Sequence, residues 1–338
     1  MHVETQDLDQ HPVAAQVSIA GQVPVIDVGE VFADSSSNAA VSAIDQIAEA
    51  CQTWGFSQVV NHDISAAQIA EVWQQTHGLF ALPIEEKLKI VRSKENPWGF
   101  YNNELTKNQR DKKEVFDFTR EGIDPIYHQA PAHQPEFKAT MMSYFEACTE
   151  LSLKLLEAFC RGLDLPANFM HHEFATNHTG FVRLNYYPVK DPMTGLAIDH
   201  QPTADLGIHH HTDAGALTVL LQDQVSGLQV YRDGYWYDIP TVADAMVINT
   251  GDMMQVWSND IYKAAIHRVL AMDTRERYSI PFFFNPAASC KVSPLPSVIG
   301  TQNPSRYHAI EWGSFRGKRS DGDYADYGTE VQISQYRK

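Results

Sequence analysis

Cysteine is scarce. Cys51, Cys148, Cys160 and Cys290 are far apart and form no C-x-x-C pair, so neither a disulfide scaffold nor a cysteine-rich zinc module is available. A reducing compartment, the cytoplasm, is the expectation. Basic charge is also short, with 26 Lys plus Arg against 42 Asp plus Glu and a net charge of −16. The phosphate attraction behind non-specific nucleic-acid binding therefore has no source, and an anionic membrane is an equally poor partner. No long apolar run exists either. The uncharged stretch from His11 to Ile26 is broken by Gln16, Gly21, Gln22 and Pro24, which excludes a membrane span there. Glu4, Asp7 and Asp9 stand where a secretory leader would be basic. Internal repeats and low-complexity blocks are absent. What remains is 338 residues, enough for one large domain or two small ones around a substantial core.

Residues 1–21 read as a flexible tail. In residues 22–130, Val23–Val28 suits a strand, and Val41, Ile44, Ile47 and Cys51 recur at helical spacing until Gly55. A second strand, Phe56–Val60, and a second helix, Ala66–Phe80, follow. Ser93 to Arg110 is polar and aromatic without period and reads as a long loop, of a length that is often functional. In residues 131–177, Met141, Phe145, Cys148, Leu155 and Phe159 mark a long supporting helix ending near Leu163. From residue 178 to 290 the texture changes to short runs: Phe181–Tyr187, Leu217–Leu221, Leu228–Tyr231, Met246–Asn249, Met254–Trp257, Ile266–Leu270 and Tyr278–Phe284. That rhythm predicts a sandwich or small barrel. Residues 291–338 form an extension without clear period.

Fifteen histidines make a His-x-Asp pair expected by chance, so His211-Thr212-Asp213 alone says little. Its neighbours matter more. The pair directly precedes the strand Leu217–Leu221, and His267 lies in a later strand. Residues two apart on extended backbone point the same way, and a third ligand from a neighbouring strand completes one face of an octahedron. Two imidazoles and a carboxylate with open positions is the donor set of non-haem Fe(II) oxygenases. A structural zinc site would want four closed ligands, usually with cysteine. Similar spacings at His2-Val3-Glu4 and His171-His172-Glu173 read as solvated surface. Beyond His267, Arg277 and Ser279 share a strand face, where a planar guanidinium and a hydroxyl suit a carboxylate.

Taken together, Ala50-Cys51-Gln52-Thr53-Trp54-Gly55-Phe56 with Asn61-His62, Asn185-Tyr186-Tyr187-Pro188, His211-Thr212-Asp213, and Ser258-Asn259 through His267-Arg268-Val269 to Arg277-Tyr278-Ser279 resemble the Fe(II)/2-oxoglutarate-dependent dioxygenases of the isopenicillin N synthase type. The match runs in order from about Val23 to Pro286. Ser57 and Asp63 depart from it, where many members have Phe and Gly. The resemblance implies a mainly β fold with flanking helices, a double-stranded β-helix (jelly-roll) core with a helical N-terminal part. It implies His211, Asp213 and His267 as iron ligands, and Arg277, Ser279, Tyr187 and Asn185 around 2-oxoglutarate. The implied reaction uses dioxygen, releases succinate and carbon dioxide, and hydroxylates, desaturates or cyclises a small molecule.

Alternation nominates substrate contacts. Phe283 and Asn285 continue the face of Arg277, and Arg183 continues that of Asn185. An inward Arg183 would favour an anionic substrate, a carboxylate or acidic phenol. Phe100 and Tyr101, with Trp98, are candidates for a lid, and His209 for the cavity wall. Three rivals compete. Oxidases of the isopenicillin N synthase or aminocyclopropane carboxylate oxidase sort take no 2-oxoglutarate yet share the Arg-x-Ser pair. A small-molecule-binding protein with an idle iron site would have lost a ligand, and none is lost. A zinc hydrolase would leave Arg-x-Ser unexplained.

Overall fold

The computed structural model describes residues 23–33, 36–93, 96–106, 109–120, 136–175, 177–192, 206–324 and 331–338; the expected tail at 1–21 lies outside them. Strands β1 (Val25–Asp27), β2 (Phe56–Val60), β3 (Gly99–Tyr101), β4 (Leu105–Thr106), β5 (Gln109–Arg110) and β6 (Glu114–Phe118) come from the N-terminal part. The later part supplies β7 (Phe181–Tyr187), β8 (Leu206–His211), β9 (Leu217–Gln222), β10 (Leu228–Arg232), β11 (Tyr235–Asp238), β12 (Met246–Thr250), β13 (His267–Leu270) and β14 (Arg277–Phe284). A small ladder of β15 (Lys291–Val292) and β16 (Ile310–Glu311) follows.

Among the described residues, one sheet runs β1-β2-β12-β9-β14-β7-β6-β3 and a smaller one β11-β10-β13-β8. Only β1 and β2 pair in parallel in these two sheets; the antiparallel ladders form the jelly roll. The N-terminal strands extend the same large sheet.

β14 explains how the sheet faces two ways. Arg277, Ser279, Pro281 and Phe283 line the cavity between the sheets, while Ile280, Phe282 and Phe284 are fully buried on the other face. There the long helix Phe137–Gly162 packs, with Phe145 edge-on to Phe282 at 5.1 Å, and Phe174 stacks on Phe284 at 4.8 Å. Burying each such ring contributes about 1.5–3 kcal/mol, which holds the strand rigid behind the site. Gly55 sits at φ +65°, and a Cβ there would lie 2.4 Å from the Lys263 carbonyl oxygen. That is why Trp54-Gly55-Phe56 turns from helix to strand through glycine.

Three expectations need correction. Met254–Trp257 is part of a helix, Asp252–Trp257, whose first amides donate to the Asp213 and Gly215 carbonyls; a short apolar run cannot be told from a buried helix by period. The region Ser93 to Arg110, expected as a loop, carries β3, β4 and β5. The extension past residue 291, where no element was expected, forms the helix Trp312–Tyr324, with Trp312 and Phe315 buried. No helix among the described residues is long and apolar enough to cross a membrane.

Candidate active site

His211 ends β8, His267 opens β13, and the two are registered opposite each other. Asp213 follows β8 by two residues. The metal-binding atoms of the three side chains lie within 4.8 Å of one another. Asp213 Oδ1 is 3.8 Å from His211 Nε2 and 3.6 Å from His267 Nε2. His211 Nδ1 donates to the His209 carbonyl at 2.7 Å, and His267 Nδ1 donates to the Ala265 carbonyl at 3.0 Å. A carbonyl can only accept, so each ring keeps its unprotonated Nε2 for the shared centre. Burial holds the His211 imidazole neutral by lowering its pKa to about 3.

Asp213 is oriented in the same way. Its Oδ2 accepts from Thr218 Oγ1 at 2.5 Å and Asn249 Nδ2 at 2.7 Å, which leaves Oδ1 for the imidazole side. Burial works to raise this carboxyl, but these hydrogen bonds work against it, and its pKa lies below the ordinary carboxylate value. Asn249 is the polar interruption in the apolar strand Met246–Thr250, the signal that would have found it. Thr218→Val and Asn249→Ala are each expected to weaken ferrous-ion affinity about 10–100-fold, measured by equilibrium dialysis under anaerobic conditions.

The same cavity holds an unusual cation. Arg277 is completely buried. Its Nε donates to the Val225 carbonyl at 3.2 Å and its Nη2 to Gln222 Oε1 at 3.3 Å, yet Nη1 has no partner, and neither has the buried Asn185 Oδ1. Ser279 Oγ accepts from Asn185 Nδ2 at 3.4 Å, and the Tyr187 ring lies 5.1 Å from the guanidinium. A buried guanidinium nitrogen left unpaired is costly. An incoming carboxylate would satisfy it, so the residues present fit a dicarboxylate co-substrate beside a metal ion.

Several expected cavity residues stand elsewhere. Arg183 does line the cavity, but its Nε and Nη2 go to the two oxygens of Asp117 and its Nη1 to Glu104 Oε2, all at 2.7 Å. Its charge is consumed inside the protein, so it is not the anion-binding group expected. His209 is buried with Nδ1 2.9 Å from Asp111 Oδ1, outside the cavity lining. The cause is a bulge: His267 pairs with His211 and Val269 with Ile208, so β8 has one residue more than β13 between these pairs. Alternation breaks there, and Ile208 takes the inward position. Phe100 is fully buried in the core under Lys87, and Tyr101 is half-buried against the Arg92 guanidinium at 4.1 Å. Neither lines the cavity; Trp98, Phe283 and Asn285 do.

Glu104, Lys113 and Asp117 were missed by the sequence reading because they lie in the region expected as a loop or just after it. Glu104 meets Arg183, Lys113 and Arg92. Burial acts to raise its pKa, but the three cations outweigh it and hold the carboxyl well below its ordinary value. With a depressed folded pKa, its stabilising contribution is full above about pH 4.5 and is lost as pH falls below that. Asp117→Ala is expected to lower stability by about 3–5 kcal/mol, since it strands Arg183 beside a half-answered network. Urea unfolding at neutral pH measures this.

The cavity has a volume of about 580 Å³, room for a co-substrate and a small molecule together. Two imidazoles and a carboxylate on a jelly roll, next to a carboxylate-seeking arginine, make a mononuclear non-haem iron oxygenase centre. A model described as the 2OG-Fe(II) oxygenase superfamily matches residues 178–286, and one described as the non-haem dioxygenase in morphine synthesis N-terminal region matches residues 23–138. The chain belongs to the 2OG-Fe(II) oxygenase superfamily. It is 33% identical to flavanone 3-dioxygenase 2 of Oryza sativa subsp. japonica over 91% of this chain and 86% of that protein. It is 31% identical to a probable 1-aminocyclopropane-1-carboxylate oxidase of Dianthus caryophyllus, covering 76% of this chain and 77% of that one. Its fold superposes on JOX2 crystallised with 2OG, Fe and JA at a TM-score of 0.79 and 25% identity, covering 97% of this chain and 92% of that one.

Proposed function

We propose that the protein couples conversion of 2-oxoglutarate to succinate with oxidation of an unactivated carbon in a small organic anion. In this reading His211, Asp213 and His267 hold Fe(II), while Arg277 and Ser279, helped by Tyr187 and Asn185, hold 2-oxoglutarate. The observation that carries it is the unpartnered, fully buried Nη1 of Arg277 in the cavity that also contains the triad. When bound, the metal and 2-oxoglutarate supply the activation of dioxygen.

The chain's own residues do the positioning. Gln222 and the Val225 carbonyl hold the Arg277 fork, so its remaining N–H groups can meet a carboxylate in one plane. Thr218 and Asn249 keep Asp213 Oδ2 occupied, so that only Oδ1 offers itself to the metal. Leu220, Leu228 and Val269 line the cavity wall and exclude water from the reacting region. Cys51, Cys148, Cys160 and Cys290 are buried and unbonded, which supports a reducing compartment such as the cytoplasm.

The relative named as an aminocyclopropane carboxylate oxidase gives a second reading specific content, an oxidation without 2-oxoglutarate. Stoichiometry separates the two. Fe(II)- and oxygen-dependent release of one succinate per substrate consumed is the expected result; substrate loss without succinate would favour the oxidase reading.

A further inference from the structure

Resting on the oxygenase reading above, the cavity's charges can be paired until one remains. Arg92, Lys113 and Arg183 are answered by Glu104, Asp117 and Asp111 in a closed network. Arg319 gives Nη1 to the Val331 carbonyl and Nη2 to the Thr212 carbonyl, and lies 3.8 Å from Asp252. Arg277 is assigned to 2-oxoglutarate. Arg316, from the helix Trp312–Tyr324, lines the same cavity and makes no hydrogen bond or ion pair among the described residues.

Its surroundings are aromatic. The guanidinium lies 5.7 Å from the Trp98 ring centre and 5.2 Å from that of Phe181, contacts that steady a cation without using its N–H donors. Among the described residues, the carboxylate whose charge it feels is Asp117, and that group already receives Arg183 and Arg92. Burial lowers the pKa of Arg316, the mark of a cation that gains from a further negative neighbour.

Arg316 and Arg277 border different stretches of the cavity wall. Phe181 stacks on Phe283 at 4.7 Å, and Phe283 is registered beside Thr218, which holds Asp213. Arg277 lies six residues back along β14. Arg316 therefore stands on the Phe283 side of the cavity, with an apolar wall of Trp98, Phe181 and Phe283 beside it.

We propose that Arg316 anchors a carboxylate of the primary substrate, and that this substrate is a monoanionic organic acid whose apolar body lies against Trp98, Phe181 and Phe283. The C-terminal helix is then the element that selects substrate by charge, the role that Arg183 cannot fill.

The test uses the full-length protein loaded with Fe(II) and 2-oxoglutarate, and a panel of arylalkanoic and medium-chain alkanoic acids with their methyl esters. Succinate release and calorimetric binding are both read. The expected result is that the active compounds are acids, and that their esters bind about tenfold to a hundredfold more weakly. In Arg316→Leu that acid-over-ester preference disappears, and in Arg316→Lys part of it returns. Esters equal to acids in the wild type, a preference kept in Arg316→Leu, or a panel in which no acid acts, would each overturn the proposal. Failure of the oxygenase reading looks different: no 2-oxoglutarate would bind to the Fe(II)-loaded wild type at all.

Discussion

In Arg277→Leu the KM for 2-oxoglutarate rises about 10²- to 10³-fold, while ferrous-ion affinity stays near that of the wild type. The size follows from removing one member of a buried, charge-assisted pair, which costs about 2–5 kcal/mol. The selectivity follows from geometry, because the guanidinium meets Gln222, Val225 and the Tyr187 ring, while the triad is held by Thr218, Asn249 and backbone carbonyls. Arg277→Lys restores the charge but not the fork, so it recovers only part of the loss. Initial rates at varied 2-oxoglutarate, beside anaerobic iron titration, separate the effects. An unchanged KM in the leucine variant would remove Arg277 from the site.

The second large effect concerns Asp213→Ala, expected to bring iron affinity and turnover down by more than the hundredfold that loss of an outer partner costs. Two consequences add. The metal loses its only carboxylate among the described cluster, and Thr218 and Asn249 lose their common acceptor, leaving buried donors unsatisfied. The double variant with Thr218→Val is therefore no worse in iron affinity than Asp213→Ala alone, because Thr218 acts through Asp213. Additive losses would mean that Thr218 reaches the metal by another route.

The regular strands were legible because their alternation is uninterrupted. On β14, Arg277, Ser279, Phe283 and, just beyond it, Asn285 line the cavity as read from the sequence, and on β7 Arg183, Asn185 and Tyr187 do the same. The resemblance located the same triad that the structure clusters. Legibility ended where local order broke. On β8 a bulge turns His209 out and Ile208 in, and a single sequence does not announce a bulge.

Charge posed a different problem. An arginine on the correct strand face was visible, but its neutralisation by Asp117 and Glu104 comes from residues more than sixty positions earlier. Such pairing belongs to tertiary structure. The helix carrying Arg316 has weak apolar periodicity, with Trp312 and Phe315 three apart as its only strong signal. Asp63, one of the two departures from the family pattern, adopts φ 66°. Aspartate tolerates that left-handed conformation, so the position can do without glycine there.

The central claim is that one ferrous ion and one 2-oxoglutarate bind together in this cavity. Anaerobic addition of Fe(II) and then 2-oxoglutarate, followed by visible absorption, addresses it directly. A weak metal-to-ligand band that forms in the wild type and is missing in both Asp213→Ala and Arg277→Leu at modest co-substrate concentration is the predicted result. A well-folded wild type that gives no band, or an Asp213→Ala protein that gives the full band, would contradict it.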